Sequence, residues 1–287
     1  MSEPLDEREV ARLAPGLALA LPRTPQRGRV GEMRASSAGA SMELHDFRAY
    51  QPGDDLRQVD WNAVARTGDM VLRVRQDEVS PRVEVLLDGS RSMGLSPRKA
   101  ACAREVALLA AEVGSQQGLS PTLLVAGARP ERVHGPVCRT ALRAAAFDAK
   151  DDLASALGRL PPLRPCGLRV VVSDFLFEAL LPELVARLAR GASALFLVQV
   201  LDAEDLEPTG GEGARLVDAE SGAVLEELLT DDVLAAYARR FAEHQRVLGS
   251  SAARARAVHL VVPAAQALEA LVRGALRPLF LPSGGAA

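Results

Sequence analysis

The sequence predicts an α/β protein built on a doubly wound, mainly parallel sheet with a small β-rich appendage. Three observations carry this prediction. From Arg82 onward, short apolar runs alternate with longer segments of helical periodicity, the pattern of strands joined by crossover helices. Residues 168–173 (LRVVVS) are apolar and β-branched without alternation, as a strand buried on both faces requires. Between 202 and 228 the alternation gives way to an acidic, Gly-rich stretch and two short runs flanking Glu220-Ser221-Gly222, the signature of an inserted hairpin.

Taken in order, residues 1–35 are rich in Arg, Pro, Gly and Ser and predict an irregular arm, while 36–80 form part of the appendage, with a strand over 70–74. The main domain comprises 81–201 and 229–287. Its first strand is 83–87. A helix follows over 99–117, where Ala103, Val106, Ala107, Ala110 and Val113 recur at three- and four-residue spacing and Gly114 and Gly118 end the pattern. Next come a strand over 122–125, a hairpin through His134-Gly135-Pro136, and a helix over 140–147. A second helix over 152–160 has Asp151 or Asp152 as N-cap, and Pro161, Pro162 and Pro165 stop it. Beyond the 168–173 strand lie a helix over 180–188, a strand over 194–201 and the hairpin of 214–217 with 223–228. A helix over 231–248, capped by Thr230 or Asp231, a strand over 258–262, a helix over 264–276 and a frayed 283–287 tail close the chain.

Composition excludes several function classes. With 34 Lys+Arg against 37 Asp+Glu and 3% aromatics, the chain lacks the basic field and stacking residues of a nucleic-acid binder. The basic run of Arg23, Arg27, Arg29 and Arg34 reads as a solvated arm. Cys102, Cys138 and Cys166 are three in number and show no CxxC spacing, so neither a disulfide framework nor a zinc cluster is indicated. No apolar run approaches the roughly 18 residues of a bilayer span, and the acidic start before 13–21 is wrong for a signal peptide. A cytoplasmic protein is expected.

The chemistry concentrates at two strand ends. Val83-Glu84-Val85-Leu86-Leu87-Asp88-Gly89-Ser90-Arg91-Ser92 is an apolar strand closing on an aspartate, followed by two serines at alternate positions. In an open parallel sheet the ligand crevice lies at the carboxyl ends of the strands, so one carboxylate and two hydroxyls meet there. Such hard oxygen donors suit Mg²⁺ or Mn²⁺ rather than zinc or copper. Val171-Val172-Ser173-Asp174 ends in the same way; if the two strands are neighbours, Asp174 joins Asp88 across the crevice. Either aspartate alone also reads as an ordinary N-cap.

Asp88-Gly89-Ser90-Arg91-Ser92 resembles the metal-ion-dependent adhesion site (MIDAS) of von Willebrand factor A-like, Rossmann-like domains, and Asp174 matches their later strand-end aspartate. More closely, the 47–61 string FRAYQPGDDLRQVDW, then Ala65-Arg66, resembles the bacterial family called domain of unknown function 58, whose later D-x-E-T-G element is matched by Asp218-Ala219-Glu220-Ser221-Gly222. The likeness spans about 36–228. It implies a divalent cation held by Asp88, Ser90, Ser92 and Asp174, a threonine from a second loop, and a partner's carboxylate completing the shell. Asp151 stands at the threonine position, so either it replaces the partner ligand or the site is altered. The resemblance also implies a MoxR-type AAA+ ATPase partner, for which the chain acts as adaptor or co-chaperone towards a protein client.

Tyr50, Asp54, Asp55, Arg57, Asp60, Trp61 and Arg66 read physically as a turn, a cap and charged pairs around the single tryptophan. That is a structural clasp, unless an exposed Trp61 makes it a docking surface. Enzyme signals are thin. An aspartyl phosphatase needs an acid two residues after its nucleophile, where Ser90 stands. Ser96-x-x-Lys99 lacks the S-D-N and K-T-G partners of penicillin-binding enzymes, no nucleotide-binding glycine loop is present, and His45, His134, His244 and His259 show no ligand spacing. A non-enzymatic, metal-dependent interaction module is expected, with a metal-dependent phosphoester hydrolase as the alternative.

Overall fold

The structure, a computed structural model, describes residues 5–21, 44–50, 59, 61–75, 82–177, 180–208, 211–219 and 222–283. It divides into two units, residues 27–80 and the remainder. The chain opens in the larger unit with helix α1 (Glu7–Leu13), whose N-cap Asp6 accepts the backbone N–H groups of Arg8 and Glu9, and strand β1 (Leu17–Leu19). The smaller unit contains β2 (Leu44–Ala49), helix α2 (Trp61–Thr67) and β3 (Val71–Arg75), with β2 and β3 antiparallel.

In the larger unit, β4 (Arg82–Asp88) leads through a short turn to the 20-residue helix α3 (Pro97–Gln116), capped by Ser96 with Pro97 in its first turn. Then follow β5 (Ser120–Ala126), β6 (Glu131–His134), α4 (Val137–Ala144), the single turn α5 (Leu153–Ala156), β7 (Cys166–Ser173), α6 (Leu181–Ala189) and β8 (Ala192–Leu201). The short α7 (Ala203–Leu206) introduces the antiparallel pair β9 (Gly211–Val217) and β10 (Val224–Leu229). Helix α8 (Asp231–Arg254), β11 (Val258–Pro263), α9 (Leu268–Arg273) and β12 (Phe280–Pro282) complete the chain, β12 pairing antiparallel with β1.

Six strands form one sheet in the order β11-β8-β7-β4-β5-β6, all parallel except β6, which runs antiparallel to β5. Successive strands are added outward from β4 first on one side and then on the other, so the winding reverses between β4 and β7. Side chains alternate across the sheet: Val83, Val85 and Leu87 pack with α3, α4 and α9, whereas Leu86 and Val171 pack with α5, α6 and α8. Each fully buried Leu or Val contributes about 1.5–3 kcal/mol, and helices cover both faces of β4 and β7, whose residues are buried on either side.

One ion pair interrupts this core. Arg169 of β7, fully buried, donates through Nε to Glu84 Oε2 of β4 at 2.7 Å, and its guanidinium also donates to the carbonyls of Arg164, Leu188 and Arg190. Neighbouring strand registers (Glu84 opposite Arg169) bring the charges together.

Several sequence-based expectations change. The 1–35 arm is not irregular throughout, because α1 and β1 dock on the larger unit through Val10, Ala14 and Leu19. The hairpin turn lies at 127–130 between β5 and β6, and His134-Gly135-Pro136 instead links β6 to α4, with Gly135 at a φ of 58°. That glycine turn starts α4 three residues before the expected helix. Helix α5 is a single turn that ends at Ala156 with Leu157 as C-cap, before the prolines at 161 and 162, and α8 runs on to Arg254 because Leu248, Ser251 and Ala252 continue its buried face. Ser283 is tied down, donating through its N–H to Gly16 and through Oγ to Pro15. The 202–228 hairpin belongs to the larger unit, not with 27–80. Among the described residues no helix is long and apolar enough to cross a membrane.

Candidate functional site

The winding reverses between β4 and β7, and in doubly wound sheets the ligand crevice lies beside such a reversal, at the carboxyl ends of the strands. Leu87 is paired with Val172, so Asp88 leaves β4 beside Ser173 and Asp174 at the end of β7. Asp88 and Asp174 are both fully buried, and Ser90 nearly so. Asp88 Oδ1 accepts the N–H of Ser90 at 2.9 Å, Asp88 Oδ2 accepts the hydroxyl of Ser173 at 2.6 Å, and Ser90 Oγ lies 3.0 Å from Ser92 Oγ. The carboxylate and hydroxyls expected to act together do converge.

Burial, and then the nearby Asp174 carboxylate, raise the Asp88 pKa from 3.8 to about 7, even though Ser173 and Ser90 donate to it. The crevice is therefore short of positive charge. Its donors are all hard oxygens, which fits Mg²⁺ or Mn²⁺ with retained waters. Among the described residues no three His, Cys, Asp or Glu side chains cluster as a metal site, so such an ion would rest on the two carboxylates and the Ser90 and Ser92 hydroxyls.

Asp151 departs from the expected arrangement. Its loop does reach the site, since Ala149 bridges Ser90, donating to the Gly89 carbonyl and accepting from the Arg91 N–H. The Asp151 carboxylate, however, pairs with Arg159 at 2.6 Å with 45% of the side chain exposed, and it does not complete a three-carboxylate cluster. An exposed arginine eight residues on neutralises it at less desolvation cost than a crevice already holding two carboxylates. Asp152 is the cap of α5, accepting the N–H of Ser155 at 2.7 Å.

Three residues with no expected role in the site enter it. Ser173 orders the Asp88 carboxylate and accepts the Phe175 N–H at 3.0 Å. Lys99, 2% exposed, donates to Asp174 Oδ2 and to Asp205 Oδ2, each at 2.9 Å. Burial opposes its charge, but the two carboxylates outweigh burial and hold the ammonium above its ordinary pKa. Ser96-x-x-Lys99 is thus a helix cap, Ser96 Oγ accepting the Lys99 N–H, followed by a charge that turns into the crevice. Its spacing signals a cap; nothing local signals the ion pair.

Below the crevice a polar network sets the Asp174 backbone. Gln199 Nε2 donates to the Asp174 carbonyl at 2.8 Å and its Oε1 accepts from His259 Nε2 at 2.9 Å. Burial and, secondarily, His244 hold the His259 imidazole below its ordinary pKa. Phe175, buried, adopts a left-handed φ of 54°, a conformation that costs a β-carbon residue about 1–3 kcal/mol. Ser173 Oγ on its N–H and His244 Nε2, which donates to its carbonyl at 2.7 Å, hold it there.

Gly89 makes close approach possible: a Cβ there would lie 2.7 Å from both N and Cα of Gly127 at the end of β5. Gly89→Ala is expected to force the β4 and β5 ends apart, costing about 1–3 kcal/mol as overpacking. Denaturant unfolding checks this. An unchanged midpoint would show that the loop relaxes freely.

In the smaller unit, Trp61 opens α2 and is 59% exposed. Arg66 is exposed as well, and Tyr50 is half-buried, its N–H donating to the Met70 carbonyl. Asp54, Asp55, Arg57 and Asp60 lie outside the described residues.

A family model described as "Protein of unknown function DUF58" matches residues 46–247, a span that takes in most of β2, the crevice and most of α8. The chain belongs to the DUF58 family. Its relatives include the uncharacterized proteins Rv1480 and MT1527 of Mycobacterium tuberculosis and Mb1516 of Mycobacterium bovis. Each is 32% identical over 227 residues, covering 72% of this chain and 70% of the relative. Among solved structures, a conserved hypothetical protein BatB from Bacteroides thetaiotaomicron matches with a TM-score of 0.36 and 12% identity, over 64% of this chain and 90% of that one. An aerotolerance-related membrane protein from Bacteroides fragilis matches with a TM-score of 0.30 and 14% identity, over 60% and 96%. Neither likeness is close enough to bear on function. The DUF58 match includes Asp88, Ser90, Ser92, Lys99, Asp174 and Asp205, so the whole crevice lies inside the family region.

Proposed function

We propose that this DUF58 protein is a non-enzymatic interaction module of von Willebrand factor A type, which docks an acidic group of a protein partner through Mg²⁺ or Mn²⁺ held in the crevice. The observation that carries the reading is the meeting of Asp88, Ser90, Ser92 and Asp174 at the β4 and β7 ends, where the Asp88 carboxyl is short of a counter-charge. Asp88 and the two hydroxyls hold the cation, and Asp174 supplies the second negative charge. When bound, the ion supplies a directional attraction for an oxygen anion. Ser173 and the Ser90 N–H keep the Asp88 carboxylate aimed, while Gln199 and the strained Phe175 fix the turn that carries Asp174. With Asp151 turned to Arg159, a coordination place is left for the partner.

The family resemblance extends the reading to a MoxR-type AAA+ ATPase as partner, with the chain as adaptor or co-chaperone for a protein client. Pull-down of that ATPase with Mg²⁺ is expected to fail with chelator and in Asp88→Ala and Asp174→Ala. Full retention by both variants overturns the proposal, and turnover in a phosphatase panel with Mg²⁺ and Mn²⁺ would favour a hydrolase instead.

A further inference from the structure

Lys99 is one of only two lysines in the chain, and it is placed where a surface lysine never goes. Its stem leaves the first turn of α3, and its ammonium lies between Asp174 at the end of β7 and Asp205 in α7. Asp205 is itself held, accepting the Asp202 N–H at 2.9 Å through Oδ2 and the Tyr237 hydroxyl at 2.6 Å through its carbonyl. Two carboxylates, of Asp174 and Asp205, thus share one built-in positive charge. That charge is committed to Asp174 and Asp205, and Asp88 is left without it.

We propose that Lys99 is the resident cation of the crevice and sets its affinity for a divalent ion. This inference rests on the cation-site reading above. Asp174 Oδ2 cannot give its full charge to Lys99 and to an incoming ion at once, and two cations a few ångströms apart in a desolvated crevice repel each other strongly. Lys99 therefore holds affinity down, and Asp205 acts as the second acceptor that draws the ammonium away from Asp174. Lys99 and Asp205 are positioning residues; neither touches the ion.

The two variants are predicted to act in opposite directions, which a merely structural role does not explain. Lys99→Met removes the competing charge and is expected to tighten Mn²⁺ binding by about tenfold or more. Asp205→Asn leaves the ammonium to Asp174 alone and is expected to weaken binding several-fold. Mn²⁺ titrations of the full-length protein, followed by the loss of the free-ion electron paramagnetic resonance signal, read both. Equal affinities in wild type, Lys99→Met and Asp205→Asn, with loss of binding in Asp88→Asn, leave the cation site standing and overturn the role of Lys99. No binding by wild type or by folded Lys99→Met overturns the cation site and this inference together. If Lys99→Met does not fold, Asp205→Asn decides: unchanged affinity there overturns the inference.

Discussion

Arg169→Met is expected to lower the unfolding free energy by about 3–5 kcal/mol, the cost of stranding a buried partner charge. Glu84 is 2% exposed and loses its 2.7 Å partner; among the described residues Arg132, 3.6 Å away and itself partly exposed, is the ion-pair partner that remains. The carbonyls of Arg164, Leu188 and Arg190 lose their donor in the same step, and each buried acceptor left unmade adds to the loss. Glu84→Leu, which strands the buried Arg169 guanidinium, is expected to be strongly destabilising too. The pair replaced together by Leu and Met is expected to recover the part of the loss that comes from the stranded charge, because a buried ion pair gains little over apolar residues of similar volume, while the three carbonyls still lack their donor. Urea unfolding of the four proteins closes this double-mutant cycle. Additive single losses in the double variant would show that Glu84 and Arg169 are not coupled.

In chelator, stability is expected to fall as the pH rises from about 4 to about 7. The Asp88 carboxyl titrates at 3.8 when unfolded and at about 7 when folded, so between these values the folded state binds the extra proton. A group whose folded pKa is raised stabilises the fold while protonated, and this contribution is gone above the folded pKa. The gap corresponds to on the order of 4 kcal/mol, an upper value because water entering the crevice would relieve it. Asp88→Asn, which cannot ionise, is expected to flatten the profile. Saturating Mg²⁺ is expected to stabilise the wild type more at pH 8 than at pH 5, because the ion and the proton compete for one carboxylate. A chelated profile that rises between pH 4 and 7, and is the same in Asp88→Asn, would place the relevant titration elsewhere.

Much of the architecture was legible in the chain. The sheet strands announce themselves because residues buried on both faces are mostly apolar, as in 83–87 and 168–173 apart from Glu84 and Arg169, and α3 shows its one apolar face at helical spacing. The aspartate closing β4, the two serines after it, and the aspartate closing β7 were visible as a set because all lie at strand ends, which a parallel sheet gathers on one edge. Shorter elements were not legible. β1 and β12 have three residues each, too few for periodicity, and exist because Leu17 through Leu19 pair with a segment at the other end of the chain. The boundaries of α4 and α5 followed from turns and caps, Gly135-Pro136 before α4 and Asp152 before α5, more than from hydrophobic pattern.

By itself, then, the amino-acid order determined the sheet, the crevice and its hard-oxygen donors, because each depends on burial or on strand ends that local residues encode. Tertiary structure alone decided how the charges are settled. Lys99 meets Asp174 across 75 residues and Asp205 across 106, Asp151 turns to Arg159, and Arg169 meets Glu84 across 85. Electrostatic pairing depends on distance in space, and no local spacing in the chain carries that distance.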